Sequence, residues 1–339
     1  MSAPGTAGAP GASVDVIGIG NALVDVLSHE ADAFLETHAL VKGSMALIDA
    51  ERADALYEAM GPAIEISGGS AANTMVGITS FGGSADFVGR VRDDQLGTVF
   101  AHDIRAAGVR FATPAASRGA STGRCLILVT PDAERTLNTF LGAASEIGPD
   151  DVDPVAIAAA QVTYLEGYLF DQPQAKAAFR RAAALAHDAD RRVALTLSDG
   201  FCVERHRDDF VALVTDQIDI LFANENEICT LYDVGDFDAA LQNVLHHCEV
   251  AALTRSARGS VVVSGGDVHV IDAHPVPGGV LDTTGAGDLY AAGFLYGFTH
   301  GYDLGRCGHL GALAAAEVIS HLGARPETSL ATLAAALLS

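Results

Sequence analysis

Basic residues are scarce in this chain of 339 residues. Lysine and arginine together number 20, against 43 aspartate and glutamate residues, which gives a formal net charge of −23. The field of such a chain repels nucleic acid and anionic membranes, so we expect neither as a partner. An anionic small substrate stays open, provided that arginines, helix N-termini or a metal ion reverse the potential locally.

Cysteine is also sparse, with five scattered residues that form no C-x-x-C pair. This pattern disfavours a zinc site and indicates a reducing compartment. The first residues, 1–13, are rich in glycine, alanine and proline and lack the basic and apolar regions of a signal peptide, which predicts a disordered tail. No apolar run is long enough to predict a membrane span, and we expect a cytoplasmic protein.

The glycine-rich segments lack several well-known nucleotide-binding and hydrolase motifs. In Gly18–Leu23 (GIGNAL), leucine stands where the Rossmann fingerprint requires its third glycine. Neither lysine of the chain, Lys42 or Lys176, follows glycine in a Walker G-K-[ST] pattern. Gly68–Ala72 ends in alanine, so it is not the G-x-S-x-G elbow of a hydrolase.

Short β-branched runs alternate with segments of helical spacing along most of the chain. Val14–Gly20 and Val162–Leu169 read as strands, and Ser70–Phe81 has the spacing of a helix. Such alternation predicts the α/β class, with a mostly parallel central sheet that is covered by helices on both faces.

A second, smaller sheet is expected where strand-like runs follow each other without a helix, at Thr122–Thr130 and Thr136–Leu141. We interpret this sheet as a small β lid. Its exposed edge leaves a homodimer through the lid sheet open. The predicted division assigns 14–32, 50–108 and 142–339 to an α/β domain that binds nucleotide and substrate, and 33–49 and 109–141 to the lid.

The segment Asp282–Asp288 (DTTGAGD) precedes the helical run Leu289–Phe298. Its small residues let backbone N–H groups at a helix N-terminus converge on an anion. A carboxylate beside such an anion hole repels phosphate, so Asp288 points to a general base that takes a hydroxyl proton while the oxygen attacks phosphorus. An N-cap with an acidic first turn explains the same residues about equally well.

Three further segments carry weaker signals, each with a structural alternative. Gly68–Asn73 (GGSAAN) allows close approach of a ligand, or is a simple strand-to-helix turn. Asn21 and Asp25 bracket the end of the first strand, where they either bind a hydroxyl-bearing ligand or act as caps. Asn224–Glu227 (NENE) follows an apolar strand and fits a magnesium–water shell or a helix-start cap.

In their order and spacing, these segments resemble the ribokinase-like (PfkB) family of sugar and nucleoside kinases. The most specific match is Asp282–Phe294 (DTTGAGDLYAAGF), and Gly68–Asn73 with Gly89–Asp94 (GRVRDD) forms the second. The resemblance covers nearly the whole chain. It implies a three-layer α/β/α ribokinase-like fold with a β-sheet lid, ATP as co-substrate and Mg²⁺ as cofactor, and it leaves a monovalent cation such as K⁺ open.

The resemblance also implies roles for individual residues. Asp288 would be the catalytic base, Gly285, Ala286 and Gly287 the anion hole, and Arg135 a lid arginine that meets the phosphates. The residues implied to hold the substrate are Asn21, Asp25, Gly68, Gly69, Ser70 and Asn73. Those implied to bind ATP are Asn224, Thr254, Gly259, Asp282, Gly285 and Gly287, and those for Mg²⁺ are Asn224 and Glu227.

Within the family, Gly18–Val26 (GIGNALVDV) and Ala194–Phe201 (ALTLSDGF) look most like adenosine kinases. This likeness implies transfer of the ATP γ-phosphoryl group to the 5′-hydroxyl of adenosine, which gives AMP in purine salvage. A kinase for ribose, fructose or a similar sugar, a guanosine or inosine kinase, and a non-catalytic nucleotide- or sugar-binding protein remain alternatives. An apolar slot under the lid would favour a nucleoside, and a hydroxyl-lined pocket would favour a sugar.

Overall fold

The computed structural model of the chain describes residues 11–132 and 134–338, so residues 1–10 of the predicted tail lie outside it. The strands are β1 Val14–Ile19, β2 Leu23–His29, β3 Met45–Leu47, β4 Ala63–Gly68, β5 Ala85–Val88, β6 Arg110–Phe111, β7 Gly123–Val129, β8 Arg135–Phe140, β9 Ala160–Glu166, β10 Arg192–Thr196, β11 Ile220–Asn224, β12 Val250–Thr254, β13 Ser260–Ser264 and β14 Asp267–Ile271.

The helices begin and end as follows: α1 Asp32–Thr37, α2 Ala50–Ala59, α3 Ser70–Ser80, α4 Gln95–Ala106, α5 Pro154–Ala159, α6 Pro173–Asp188, α7 Gly200–Arg205, α8 Arg207–Gln217, α9 Glu225–Tyr232, α10 Phe237–Val244, α11 Ala286–Thr299, α12 Leu304–Val318, α13 Leu330–Leu333 and α14 Ala335–Leu338. Within the part of the chain that the structure describes, no helix has both the length and the apolar character needed to cross a bilayer.

The larger sheet has the strand order β14-β13-β12-β11-β10-β9-β1-β5-β6. It is parallel from β6 to β12, and β13 and β14 continue it antiparallel. Adjacent residues of β1 point to opposite faces of the sheet, and both are buried. Val16 packs in a core with α3, α4, α11 and α12, and Ile17 packs in a core with α6, α8, α9 and α10. Burial on both faces explains the nearly continuous apolar strands, and the predicted three-layer α/β/α architecture is confirmed.

The parallel strands bring their carboxyl ends to one edge of this sheet. Glu166 ends β9, Asn224 ends β11 and Thr254 ends β12, and the last two are paired in register. In open α/β sheets ligands bind at this edge. The candidate residues that lie far apart in sequence are therefore collected here.

The smaller sheet has the order β3-β8-β7-β2-β4. The predicted division needs correction in two places, because β2 and β4 belong to this sheet although 14–32 and 50–108 were assigned to the α/β domain. Conversely, β6 pairs with β5 in the larger sheet, although 109–141 was assigned to the lid. The physical reason is that β2 pairs with β7, about a hundred residues away in the sequence, and a local pattern carries no information about such a partner.

The two faces of the smaller sheet have different surroundings. Val24 and Leu126 join the main core together with Leu56 of α2. The opposite face carries a separate apolar cluster, which we call the apolar face and define as Leu27, Cys125, Ile127, Val129 and Leu137. Asp25 pairs in register with Cys125 and lies at one end of this face.

The edge strands of the smaller sheet expose apolar side chains. Met45 and Leu47 on β3 are 53% and 57% exposed, and Ile64 on β4 is 65% exposed. A homodimer through this sheet stays a prediction.

Candidate active site

Asp288 lies in the first turn of α11, directly after the predicted anion-binding glycines. The half-buried carboxylate accepts two hydrogen bonds, from Ser70 Oγ at 2.6 Å and from Asn73 Nδ2 at 3.1 Å. Burial raises the pKa of Asp288 to about 6, against the effect of these two hydrogen bonds. Such a carboxylate is mostly ionised at neutral pH and is close to the best pKa for a general base.

The loop before α11 depends on glycine. Gly285 has a φ of 79°, in the left-handed region, and a Cβ there would lie 2.8 Å from the Ala324 Cα. Gly287 has open space on its Cβ side. Of the three predicted donors, Ala286 N–H donates to the Thr283 carbonyl oxygen at 3.2 Å, which leaves the N–H groups of Gly285 and Gly287 for an anion beside Asp288. The anion hole stays a prediction.

Asp25 is the second carboxylate of the site. It packs against Gly68, where any Cβ would collide with the Asp25 carboxylate. The half-buried Asp25 carboxylate accepts no hydrogen bond from the described residues. Burial raises its pKa to about 6, the charges of Arg325 and Arg135 oppose this rise, and the charge of Asp288 adds to it. The unused acceptors of this half-buried carboxylate fit a hydroxyl-bearing ligand.

The turn at Gly69, between β4 and α3, packs against the backbone of Asn21, which lies between β1 and β2. Gly69 has a φ of 104°, and a Cβ there would collide with the backbone oxygen of Asn21. The Asn21 side chain, predicted to hold substrate, donates instead to Glu166 Oε1 at 2.6 Å. Its buried Oδ1 has no hydrogen-bond partner among the described residues.

Glu166 is a functional candidate that the sequence analysis missed. It is 1% exposed at the end of β9, and its Oε2 accepts from the backbone N–H of Ala71 at 2.8 Å. Burial raises its pKa to about 7. Through Asn21 and Ala71 it fixes the start of α3, which carries Ser70 and Asn73. Its signal in the sequence was an acidic residue at the end of a buried strand.

Arg135 begins β8 and pairs with Asp282 in the loop before α11. The Asp282 carboxylate also accepts from Thr284 Oγ1 at 2.6 Å and from the Gly323 N–H at 3.0 Å. Burial alone would raise the pKa of Asp282, but these hydrogen bonds and the charge of Arg135 lower it overall. The pair therefore links the smaller sheet to the anion-binding loop, and Asp282 is engaged with protein groups.

Asn224 and Glu227, predicted to organise Mg²⁺, form a reciprocal cap at the start of α9. Asn224 donates to Glu227 from its backbone N at 2.9 Å and from Nδ2 at 2.6 Å, and its Oδ1 accepts from the Glu227 N–H at 2.9 Å. Burial raises the pKa of Glu227 to about 7. Among the described residues, no group of three or more His, Cys, Asp or Glu side chains could hold a metal ion.

Each side-chain oxygen of this pair accepts one hydrogen bond from an N–H group of the other residue, and a carboxylate oxygen keeps a second lone pair for another partner. Mg²⁺ usually keeps several waters and binds substrate phosphates with only one or two carboxylates. The Mg²⁺ role of Asn224 and Glu227 therefore stays a prediction.

Thr254 and Gly259 flank the turn after β12. Gly259 has a φ of 78°, and a Cβ there would collide with the Ile271 backbone oxygen, so this turn requires glycine. Asn224 and Thr254 line an open cleft of about 980 Å³ together with Arg255. Of the predicted ATP-binding residues, the structure thus places Asn224 and Thr254 side by side.

Arg325, in the segment between α12 and α13, is a second residue that the sequence analysis missed. Its Nε donates to Asn73 Oδ1 at 3.4 Å, so it is one contact away from Asp288. No motif in the sequence marks this arginine. The structure brings together Asp25, Ser70, Asn73 and Asp288, and Arg325 completes the group.

Comparison with known proteins finds relatives that span most of the chain. The pfkB family carbohydrate kinase model matches residues 51–330. The crystal structure of adenosine kinase from Sinorhizobium meliloti is 51% identical, with a TM-score of 0.88, and the match covers 96% of this chain and 99% of that chain. A probable sugar kinase from Rhizobium etli CFN 42 is 48% identical, with a TM-score of 0.89 and the same coverage of 96% and 99%.

A curated relative is more distant but still spans most of the chain. Adenosine kinase from Saccharomyces cerevisiae is 27% identical over 327 residues, which is 90% of this chain and 94% of the yeast protein. Because the family match extends over most of the chain and the fold is shared from end to end, this chain belongs to the pfkB family of carbohydrate kinases, enzymes that phosphorylate hydroxyl groups.

Proposed function

We propose that the protein transfers the γ-phosphoryl group of ATP to the 5′-hydroxyl of adenosine. The observation that carries this proposal is the placement of Asp25, a carboxylate with unused acceptors, between the apolar face and Asp288. A ribose fits there with its diol on Asp25 and its 5′-hydroxyl towards Asp288. The likeness to adenosine kinases from Sinorhizobium meliloti and yeast supports the same substrate.

The apolar face is the feature that favours a nucleoside over a free sugar. Leu27 and Leu137 are half-buried beside the buried Ile127, on the same side of the sheet as Asp25. A purine has two apolar faces that such a surface contacts, whereas a sugar presents mainly hydroxyl groups that need polar partners.

Tyr168 is the proposed stacking ring for the base. Phe170, two residues further on, is 1% exposed and belongs to the core beside α6 and α8, whereas Tyr168 is 39% exposed. Burial raises the pKa of Tyr168, and the charges of Asp288, Asp199, Glu227 and Glu166 add to that rise. Tyr168 follows β9 at the carboxyl edge of the larger sheet, where its exposed ring is available to the base, and aromatic rings stack on flat heterocycles.

In the proposed mechanism, Asp288 accepts the proton of the substrate hydroxyl as its oxygen attacks the γ-phosphorus. Ser70 and Asn73 hold the carboxylate in position. Backbone N–H groups of Gly285 and Gly287 and the Arg135 guanidinium offset the charge that develops on the transferred group. Mg²⁺, when bound with the phosphates, would neutralise further charge there. The smaller sheet acts as a lid that excludes water.

The direct test is ADP release with adenosine, guanosine, inosine, ribose and fructose under identical conditions. We expect kcat/KM for adenosine to exceed that for either sugar by about 10²-fold or more, since burial of a base contributes several kcal/mol. A ribose or fructose value equal to or above that of adenosine would replace the proposal by a sugar kinase. No turnover of any acceptor would indicate a binding protein.

The Tyr168→Ala variant sharpens this test. It should lower kcat/KM for adenosine about 10-fold through the loss of stacking and leave the weak ribose reaction nearly unchanged. Tyr302→Ala, which removes a tyrosine from the loop between α11 and α12, is the matched control. Equal losses with adenosine and ribose in Tyr168→Ala would remove the stacking role.

A further inference from the structure

The Arg325 side chain joins three elements that surround the site. Its Nη1 lies 2.9 Å from Asp103 Oδ2 on α4, its Nη2 lies 2.6 Å from Ser67 Oγ on β4, and its Nε lies 3.4 Å from Asn73 Oδ1 on α3. The side chain is only 16% exposed. An arginine so enclosed has a fixed guanidinium plane, since its donors are directed in a rigid fork.

The contact with Asn73 determines which way the amide of Asn73 points. A guanidinium only donates hydrogen bonds, so it selects the amide oxygen of Asn73 as its partner. The amide nitrogen is then turned towards Asp288 Oδ2, 3.1 Å away. The opposite orientation would place two donors against each other at Arg325 and two acceptors against each other at Asp288.

Arg325 also lies close to Asp25, because its Nη2 donates to Ser67 Oγ and the next residue of β4, Gly68, packs against the Asp25 carboxylate. The charged and titratable groups that face Asp25 are Arg325, Arg135 on β8, Asp288 on α11 and Cys125 on β7. Of the two arginines, Arg325 opposes the burial of the Asp25 charge more strongly. Asp103 partly neutralises Arg325, because it accepts hydrogen bonds from Arg325 and from both Ser67 donors.

We infer that Arg325 is a positioning residue, which turns the Asn73 amide towards Asp288 and holds a positive charge beside the Asp25 carboxylate that accepts substrate hydroxyls. Asp103 limits the strength of this charge. The inference deepens the proposed function and rests on it for the role of Asp25. It does not make Arg325 a catalytic residue, since Asn73 stands between its guanidinium and the base.

The test compares Arg325→Met, Asp103→Asn and Arg325→Lys with the wild type. The pH dependence of kcat/KM for adenosine reports groups of the free enzyme, and that of kcat reports groups of the substrate complex. In Arg325→Met we expect the acid limb of kcat/KM to move up by about one pH unit, and in Asp103→Asn to move down by a similar amount, since one charge near a carboxylate shifts its pKa by about 1–3 units.

The Arg325→Lys variant separates charge from geometry. It keeps the positive charge, so the acid limb of kcat/KM should stay within about 0.3 pH units of the wild type. A single ammonium group cannot hold Ser67, Asp103 and Asn73 together, so kcat should fall about 10-fold. Thermal unfolding of each variant shows whether it is folded.

Opposite shifts in Arg325→Met and Asp103→Asn support the inference, because loss of a purely structural contact lowers activity to the same extent at every pH. The inference is overturned if both variants shift the acid limb in the same direction, or if Asp103→Asn does not shift it. The result for Asp103→Asn is sufficient by itself where Arg325→Met does not fold. The Asp25 titration, followed by ¹³C NMR of labelled aspartate, gives the same comparison without turnover. If the wild type does not phosphorylate adenosine but the Asp25 pKa moves in opposite directions in Arg325→Met and Asp103→Asn, the proposed substrate is refuted and the inference stands.

Discussion

In Ser70→Ala, the acid limb of the pH profile should move, whereas the maximal rate reached at high pH should change little. Ser70 Oγ donates to Asp288 Oδ1 at 2.6 Å, and this hydrogen bond stabilises the ionised carboxylate. The pKa of Asp288, about 6, already includes the effect. In Ser70→Ala the carboxylate keeps only the bond from Asn73, so its pKa must rise.

The size of the shift follows from the strength of the lost bond. A hydrogen bond to a charged group contributes about 1.5–3 kcal/mol, which corresponds to roughly one to two pKa units at 1.36 kcal/mol per unit. Because the carboxylate is half-buried, water replaces part of the bond, and we take about one unit. The ionised fraction of Asp288 at pH 7 then falls from about 0.9 to about 0.5.

The assay is the pH profile of kcat with adenosine in Ser70→Ala, Asp288→Asn and the wild type, because Asp25 is occupied by the ribose diol in the substrate complex and the acid limb of kcat then reports Asp288. We expect Ser70→Ala to lose about half of its activity at pH 7 and to recover it at about pH 9, when the carboxylate is ionised again. Asp288→Asn should lose about 10²–10⁴-fold at every pH, because it has no base. An acid limb that does not move in Ser70→Ala would refute the assignment of this limb to Asp288.

Three further changes test other parts of the site. Gly69→Ala should lower the Tm and activity together, because its Cβ would collide with the Asn21 backbone oxygen, and calorimetry measures this. Glu166→Gln should flatten the pH dependence of the free energy of unfolding, measured with urea. Because burial raises the pKa of Glu166 to about 7, the folded wild type binds this proton more tightly than the unfolded chain, so its stability falls as the pH rises from about 4.5 to about 7. Arg135→Met should lower kcat about 10²-fold or more with little loss of adenosine affinity; a KM effect alone would contradict its role.

The elements that could be predicted from sequence are those whose pattern is local. The helix predicted at Ser70–Phe81 is α3, Ser70–Ser80, and the strand predicted at Val14–Gly20 is β1, Val14–Ile19. In each, burial follows the period of a single element, so a window of about ten residues contains the signal. The pairing of β2 with β7 depends on two segments that no local pattern connects.

In the candidate site, too, the residues with a local sequence pattern could be predicted and the others could not. Asp288 and the glycines beside it are candidates from the sequence because an anion-binding helix start has a compact pattern in sequence. Ser70 was predicted to hold substrate, whereas in the structure its hydroxyl donates to Asp288. Arg325 was missed because its partners, Asp103 and Asn73, are 222 and 252 residues away. A side chain that acts only through such contacts has no local signature.

Asp25 and Asp288 place two carboxylates in the site, so binding of a triphosphate there requires positive charge. Arg325 is already paired with Asp103. Arg135 is paired with Asp282, but its buried Nε has no partner among the described residues, and a guanidinium carries five donors. A phosphate can therefore use the remaining donors of Arg135 without breaking the pair with Asp282. Because that pair fixes Arg135 beside the start of α11, the two sources of positive potential act on the same phosphate.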